Sequence, residues 1–136
     1  MALTFQEHWI YSGSTSVPNA LLQNYRKLQL TADECLLIAW LMQRHPEESF
    51  VLNIRETCQQ FGVDERQLFS IIQHLMDRQV LEIKQREAQD GKKVDYYSFK
   101  PLLRQLEVLF KQNSFSVEKM SQKDVNVLTL IEQEFN

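Results

Sequence analysis

Between residues 53 and 100 the chain orders its signals as helix, tight turn, helix and hairpin, and few folds accept that order. Asn53 is a good helix N-cap, with Glu56 three residues on to close a capping box. The helix it opens ends at Phe61-Gly62, where glycine can take the left-handed conformation that stops a helix. Val63 spans the turn. Asp64 caps a second helix whose apolar stripe is Leu68, Phe69, Ile71, Ile72, Leu75 and Met76. Val80 to Lys84 is rich in strand formers, Asp90-Gly91 signals a turn, and Val94 to Phe99 returns. The pattern is that of a winged helix-turn-helix within an α+β fold, the hairpin being the wing. Such a unit is usually a binding module, for DNA or for another protein.

The flanks add helices. Leu3 to Tyr11 mixes Phe5, Trp9, Ile10 and Tyr11 with polar residues, an aromatic arm that must cover its own domain or a partner chain. Gly13 to Ser16 is a small polar loop, and Pro18 suits the first turn of a helix with Leu21, Leu22, Tyr25 and Leu28 on one stripe. Thr31 and Glu34 form another capping box. The helix they open carries Leu36, Leu37, Ala39, Trp40, Leu41 and Met42, is apolar nearly all round, and is expected to be central. His45-Pro46 ends it, and Phe50 to Leu52 is expected as a short strand beside the hairpin. After the hairpin, Pro101 starts a helix with Leu102, Leu103, Leu106, Leu109 and Phe110 at helical spacing. Residues 112–123 are polar and read as a linker. Val125, Leu128, Ile131 and Phe135 begin a new amphipathic pattern. Hence 1–17 is arm and loop, 18–112 the winged-helix domain with its extra C-terminal helix, and 113–136 a linker and the start of a second, truncated domain.

Little chemistry is visible. The glycines Gly13, Gly62 and Gly91 all fall at expected turns and none belongs to a phosphate-loop motif, so no nucleotide cradle is expected. His8, His45 and His74 lack partners at metal-ligand spacing, and His74 is expected on the solvent face of its helix. Cys35 and Cys58 sit on separate helices and read as buried structural thiols. The carboxylate pairs Asp33-Glu34 and Glu47-Glu48 are adjacent in sequence, which does not make them converge on a cleft. The sequence points away from an enzyme, and no cofactor or metal is expected. No apolar run or leader suggests a membrane span or secretion signal, so the cytoplasm is the expected compartment.

The net charge of -3 argues against a dedicated DNA-binding surface. In the second helix Arg66 and Gln67 have the chemistry to read base edges, but Asp64, Glu65 and Asp77 would repel phosphates. In the hairpin Lys84, Arg86, Lys92 and Lys93 are offset by Glu82, Glu87, Asp90 and Asp95. Protein binding fits better. Alternation places Leu81 and Ile83 on one face of the first hairpin strand. Val51 and Asp95 on neighbouring strands would share that sheet, and Val51, Ile83 and Asp95 together would make an apolar spot rimmed by charge.

Gly13-Ser14-Thr15-Ser16-Val17-Pro18-Asn19, followed by Leu21-Leu22 and Tyr25, resembles the opening segment of the bacterial replication-initiation (primosome) protein DnaD. Asp90-Gly91-Lys92, Tyr97-Ser98 and Pro101-Leu102 resemble that family's wing and following helix. Ile131-Glu132-Gln133-Glu134-Phe135 resembles the opening of its second domain. The resemblance covers nearly all of the chain. It implies an N-terminal domain that self-associates, as dimer or tetramer, and docks the initiator DnaA and helicase-loading factors. DNA remodelling belongs to the family's second domain and is not carried over, so weak or no direct DNA binding is expected here. An implied two-fold contact gives the arm a purpose: Phe5, Trp9, Ile10 and Tyr11, with Val17, would pack across the axis. The alternative is a winged-helix transcriptional regulator gripping duplex DNA through Arg66, Gln67, Lys92 and Lys93.

Overall fold

The computed structural model describes residues 4–118. Six helices and one hairpin follow in the order α1 (Phe5–Tyr11), α2 (Asn19–Asn24), α3 (Ala32–Arg44), α4 (Ile54–Phe61), α5 (Glu65–Asp77), β1 (Glu82–Glu87), β2 (Lys93–Ser98) and α6 (Lys100–Glu118). The arrangement is α+β, a helical body with one two-stranded antiparallel sheet. No helix among the described residues is long and apolar enough to cross a membrane.

Local chemistry sets the helix starts. The Thr31 hydroxyl accepts from the Glu34 N–H at 3.2 Å, and Glu34 Oε1 accepts from the Thr31 N–H at 3.1 Å. Asp64 and Gln67 close the same reciprocal cap on α5. Asn53 caps α4 by accepting from the Glu56 N–H at 3.0 Å. The Glu56 side chain does not return the bond, because it pairs instead with Arg44 on α3. Gly62 ends α4 at φ +63°, a region costly for a residue with a Cβ. Gln29 and Gln79 also take positive φ, at 62° and 58°. Gln105 on α6 holds the second of these turns, donating to the carbonyls of Arg78 and Gln79 at 3.1 and 2.7 Å.

The core forms around α3. Leu37, Ile38, Ala39 and Leu41 are buried there, against Leu21, Leu28 and Leu30, Leu68, Ile72 and Leu75 of α5, and Leu102 of α6. The expected stripes are trimmed at their edges. Leu22, Leu36, Phe69, Met76 and Leu103 are exposed, and Phe110 is 70% exposed. Each core helix buries one narrow face, so apolar residues about 100° away remain in solvent.

Two further expectations change. Residues 50–52 form no strand but a single bridge, with Phe50 and Tyr97 exchanging both backbone hydrogen bonds at 2.9 and 2.8 Å. Helix α6 runs on to Glu118, into the stretch expected to be linker. The amphipathic pattern from Val125 to Phe135 lies outside the described residues.

Candidate protein-interaction surfaces

The arm comes first. Thr4 caps α1 by accepting from the Glu7 N–H at 3.2 Å. One turn apart, the Phe5 and Trp9 rings meet with centroids 6.0 Å apart. No residue of α1 is buried, and Phe5, Trp9, Ile10 and Tyr11 are 71–76% exposed. The arm therefore does not fold back on its own domain. Gly13, at φ +79°, turns the chain. Ser16 is then tied to α3: its N–H donates to Gln43 Oε1 at 3.3 Å, and Gln43 Nε2 donates to its carbonyl at 2.8 Å. Val17 packs on the core, so the structure separates it from the exposed aromatic set.

The hairpin pairs Ile83 with Tyr97 and Gln85 with Asp95. Directly opposed residues share a face, so Ile83, Tyr97, Gln85 and Asp95 lie together. Ile83 packs against the core. Asp95 is exposed and accepts from Gln85 Nε2 at 3.3 Å. Phe50 faces Tyr97 and is buried, so alternation turns Val51, 49% exposed, to the opposite side. Ile83 and Asp95 are thus brought together, and Val51 is not. Burial and the nearby Asp95 carboxylate push the Tyr97 phenol above its usual pKa.

The residues of the duplex reading are scattered. Arg66 is exposed, but Gln67 Oε1 accepts from the Asp64 N–H at 3.0 Å and is committed to the cap. Lys92 and Lys93 are exposed at the hairpin turn. His74 is corrected: it is not a free surface residue. Its Nδ1 lies 2.6 Å from Oε2 of the buried Glu34, and Arg78 Nε donates to its Nε2 at 3.3 Å. The long-range pairing of α3 with α5 creates that contact, and no sequence spacing signals it. Burial pushes the Cys35 thiol up; desolvation and the Glu65 and Asp64 carboxylates do the same to Cys58. Sequence reasoning also missed an apolar cleft of about 140 Å³ between Leu36, Leu37, Phe61, Val63, Leu68 and Ile71. Leu36 belongs to the apolar stripe of α3, and that stripe alone does not tell a cleft rim from the core.

Comparison with known proteins now settles the family. The family model of the DnaD N-terminal domain matches residues 17–122. This chain belongs to the DnaD N-terminal domain family. Membership makes it a replication-initiation protein domain. The arm, Phe5–Tyr11, precedes the matched span. The crystal structure of the N-terminal domain of DnaD protein from Geobacillus kaustophilus HTA426 is similar at a TM-score of 0.57 and 20% identity, covering 87% of this chain and 99% of that one. A Rep–DNA complex structure aligns at a TM-score of 0.49 and 17% identity, over 73% of this chain and 82% of that one. At 20% identity the likeness to the Geobacillus domain speaks to fold alone. No curated protein matches the chain.

Proposed function

We propose that this DnaD N-terminal domain is a self-association and docking module of the replication-initiation machinery, with no catalytic step of its own. One observation carries the reading: α1 holds Phe5, Trp9, Ile10 and Tyr11 almost fully in water on a helix that touches no core. Burying such a side chain is worth about 1.5–3 kcal/mol. Association costs about 4–15 kcal/mol in lost freedom. Four anchors give about 6–12 kcal/mol, of the same order as that cost, whereas a two-fold pair engages both arms and doubles the gain to about 12–24 kcal/mol. A dimer built on reciprocal arms is therefore the favoured form, with tetramers available by pairing of pairs.

In this reading α4, α5 and the hairpin are a winged helix put to protein docking in the cytoplasm. The Ile83–Asp95 side of the hairpin meets partners such as the initiator DnaA, and Val51, on the other face, is outside that surface. Several docked copies would raise the local concentration of attached factors. Duplex reading through Arg66, Gln67, Lys92 and Lys93 is disfavoured, since Gln67 closes the cap and Asp64 and Glu65 stand beside Arg66.

Trp9 provides the test. The chain has two tryptophans, Trp9 and Trp40, so a Trp40→Phe variant reports the arm alone. Its emission should shift to shorter wavelength as concentration rises from nanomolar to about a hundred micromolar, as Trp9 leaves water. Emission fixed at the solvent-exposed position over that range would refute arm-mediated association.

A further inference from the structure

One surface remains outside this account, the outer face of the hairpin. Glu82 pairs with Ser98, Lys84 with Tyr96 and Arg86 with Val94. These side chains point away from the face that packs on the core. Of these, Glu82, Lys84, Arg86, Tyr96 and Ser98 line a polar groove of about 190 Å³ with Glu48, Ser49 and Lys100. Three cations and two carboxylates stand in it. Each carboxylate already has a lysine: Lys100 Nζ lies 3.1 Å from Glu48, and Lys84 Nζ 3.9 Å from Glu82. Arg86 has no carboxylate partner among the described residues; its guanidinium lies over the Tyr96 ring, 5.2 Å from the centroid.

We propose that this groove binds single-stranded nucleic acid, with Lys84, Arg86 and Lys100 on phosphates and an unpaired base stacked on the Arg86–Tyr96 pair. Base stacking on aromatic or guanidinium planes tolerates any sequence but needs bases whose faces are free, which a duplex hides. The two lysine–glutamate pairs are solvent-exposed and so nearly neutral in stability. A phosphate can exchange for either carboxylate at little cost. An acidic peptide would be satisfied by the cations alone; the half-buried Tyr96 is what favours a base. The site lies on a different element from Arg66 and Gln67 and does not depend on self-association.

The experiment is fluorescence anisotropy of the full chain with a labelled oligothymidine single strand, the matching duplex, and a labelled poly-glutamate peptide. Circular dichroism confirms that each variant is folded. The single strand should bind at low salt, weaken as salt rises, and bind more tightly than either competitor. Tyr96→Ala should weaken it at least about fivefold. Arg86→Glu should abolish it, and Arg66→Ala should leave it unchanged. Glu48→Gln, which removes a competing carboxylate, should tighten it; a purely structural groove gives no such gain. Absence of binding at low salt, equal capture of poly-glutamate, insensitivity to Tyr96→Ala, or loss with Arg66→Ala would each overturn the proposal.

Discussion

Glu34 is a buried carboxylate that ties two helices together. One of its oxygens caps α3 at Thr31, and the other holds His74 on α5. The half of this role that lies within three residues was legible in the sequence as a capping box. The other half was not, because forty positions separate the partners. Glu34→Ala should cost on the order of 2 kcal/mol, from the lost cap and the lost hydrogen bond to His74. Glu34→Gln keeps the cap geometry and should cost less than half as much; urea denaturation of both variants measures the difference. Tyr97 gives a pH signature. Its pKa is raised in the fold by burial and by Asp95. The folded state therefore holds this proton more tightly, and its contribution is complete below the ordinary phenol value of about 10. That contribution is lost as pH rises from there through the folded value. Tyr97→Phe should flatten the loss of stability above about pH 10, and alkaline denaturation curves of the two proteins would show it.

At the scale of elements, the legible features were the local ones. Asn53, Thr31 and Asp64 were identified as caps, Gly62 as a stop and Asp90-Gly91 as a turn, because each acts through its own backbone neighbourhood. The trimmed stripes were not legible. Leu22, Leu36, Phe69 and Met76 fit a helical period, and only the packing partner decides which edge of the stripe stays dry. The turns at Gln29 and Gln79 also carried no signal, since glutamine does not advertise a left-handed conformation. Gly62→Ala separates backbone from packing. Nothing lies within 4 Å of the added Cβ, so the expected loss of about 1–2 kcal/mol comes from φ alone. Leu68→Ala, fully buried, should cost about 2–5 kcal/mol by thermal or urea unfolding. Of the candidate hairpin surface, Ile83 and Asp95 share a face as the alternation implies, and Val51 falls away because one bridge replaces a strand. Asp95→Lys leaves the core untouched. It should weaken capture of the initiator without shifting the unfolding midpoint, and unchanged capture would remove this side of the hairpin from the docking account.

The whole molecule combines a packed helical core with an aromatic arm that the core does not use. A net charge of -3 gives no general attraction to phosphate, and the self-association proposed for the arm rests on its exposed apolar surface. Apolar contacts resist salt, whereas phosphate-driven assemblies dissolve in it. Light scattering coupled to size exclusion, on the chain and on a Phe5→Ser/Trp9→Ser variant at low and high salt, tests that claim most directly. The chain should run as a dimer or tetramer at both salt concentrations, and the variant as a monomer. A monomeric chain at high concentration, or an assembly indifferent to the two substitutions, would contradict it.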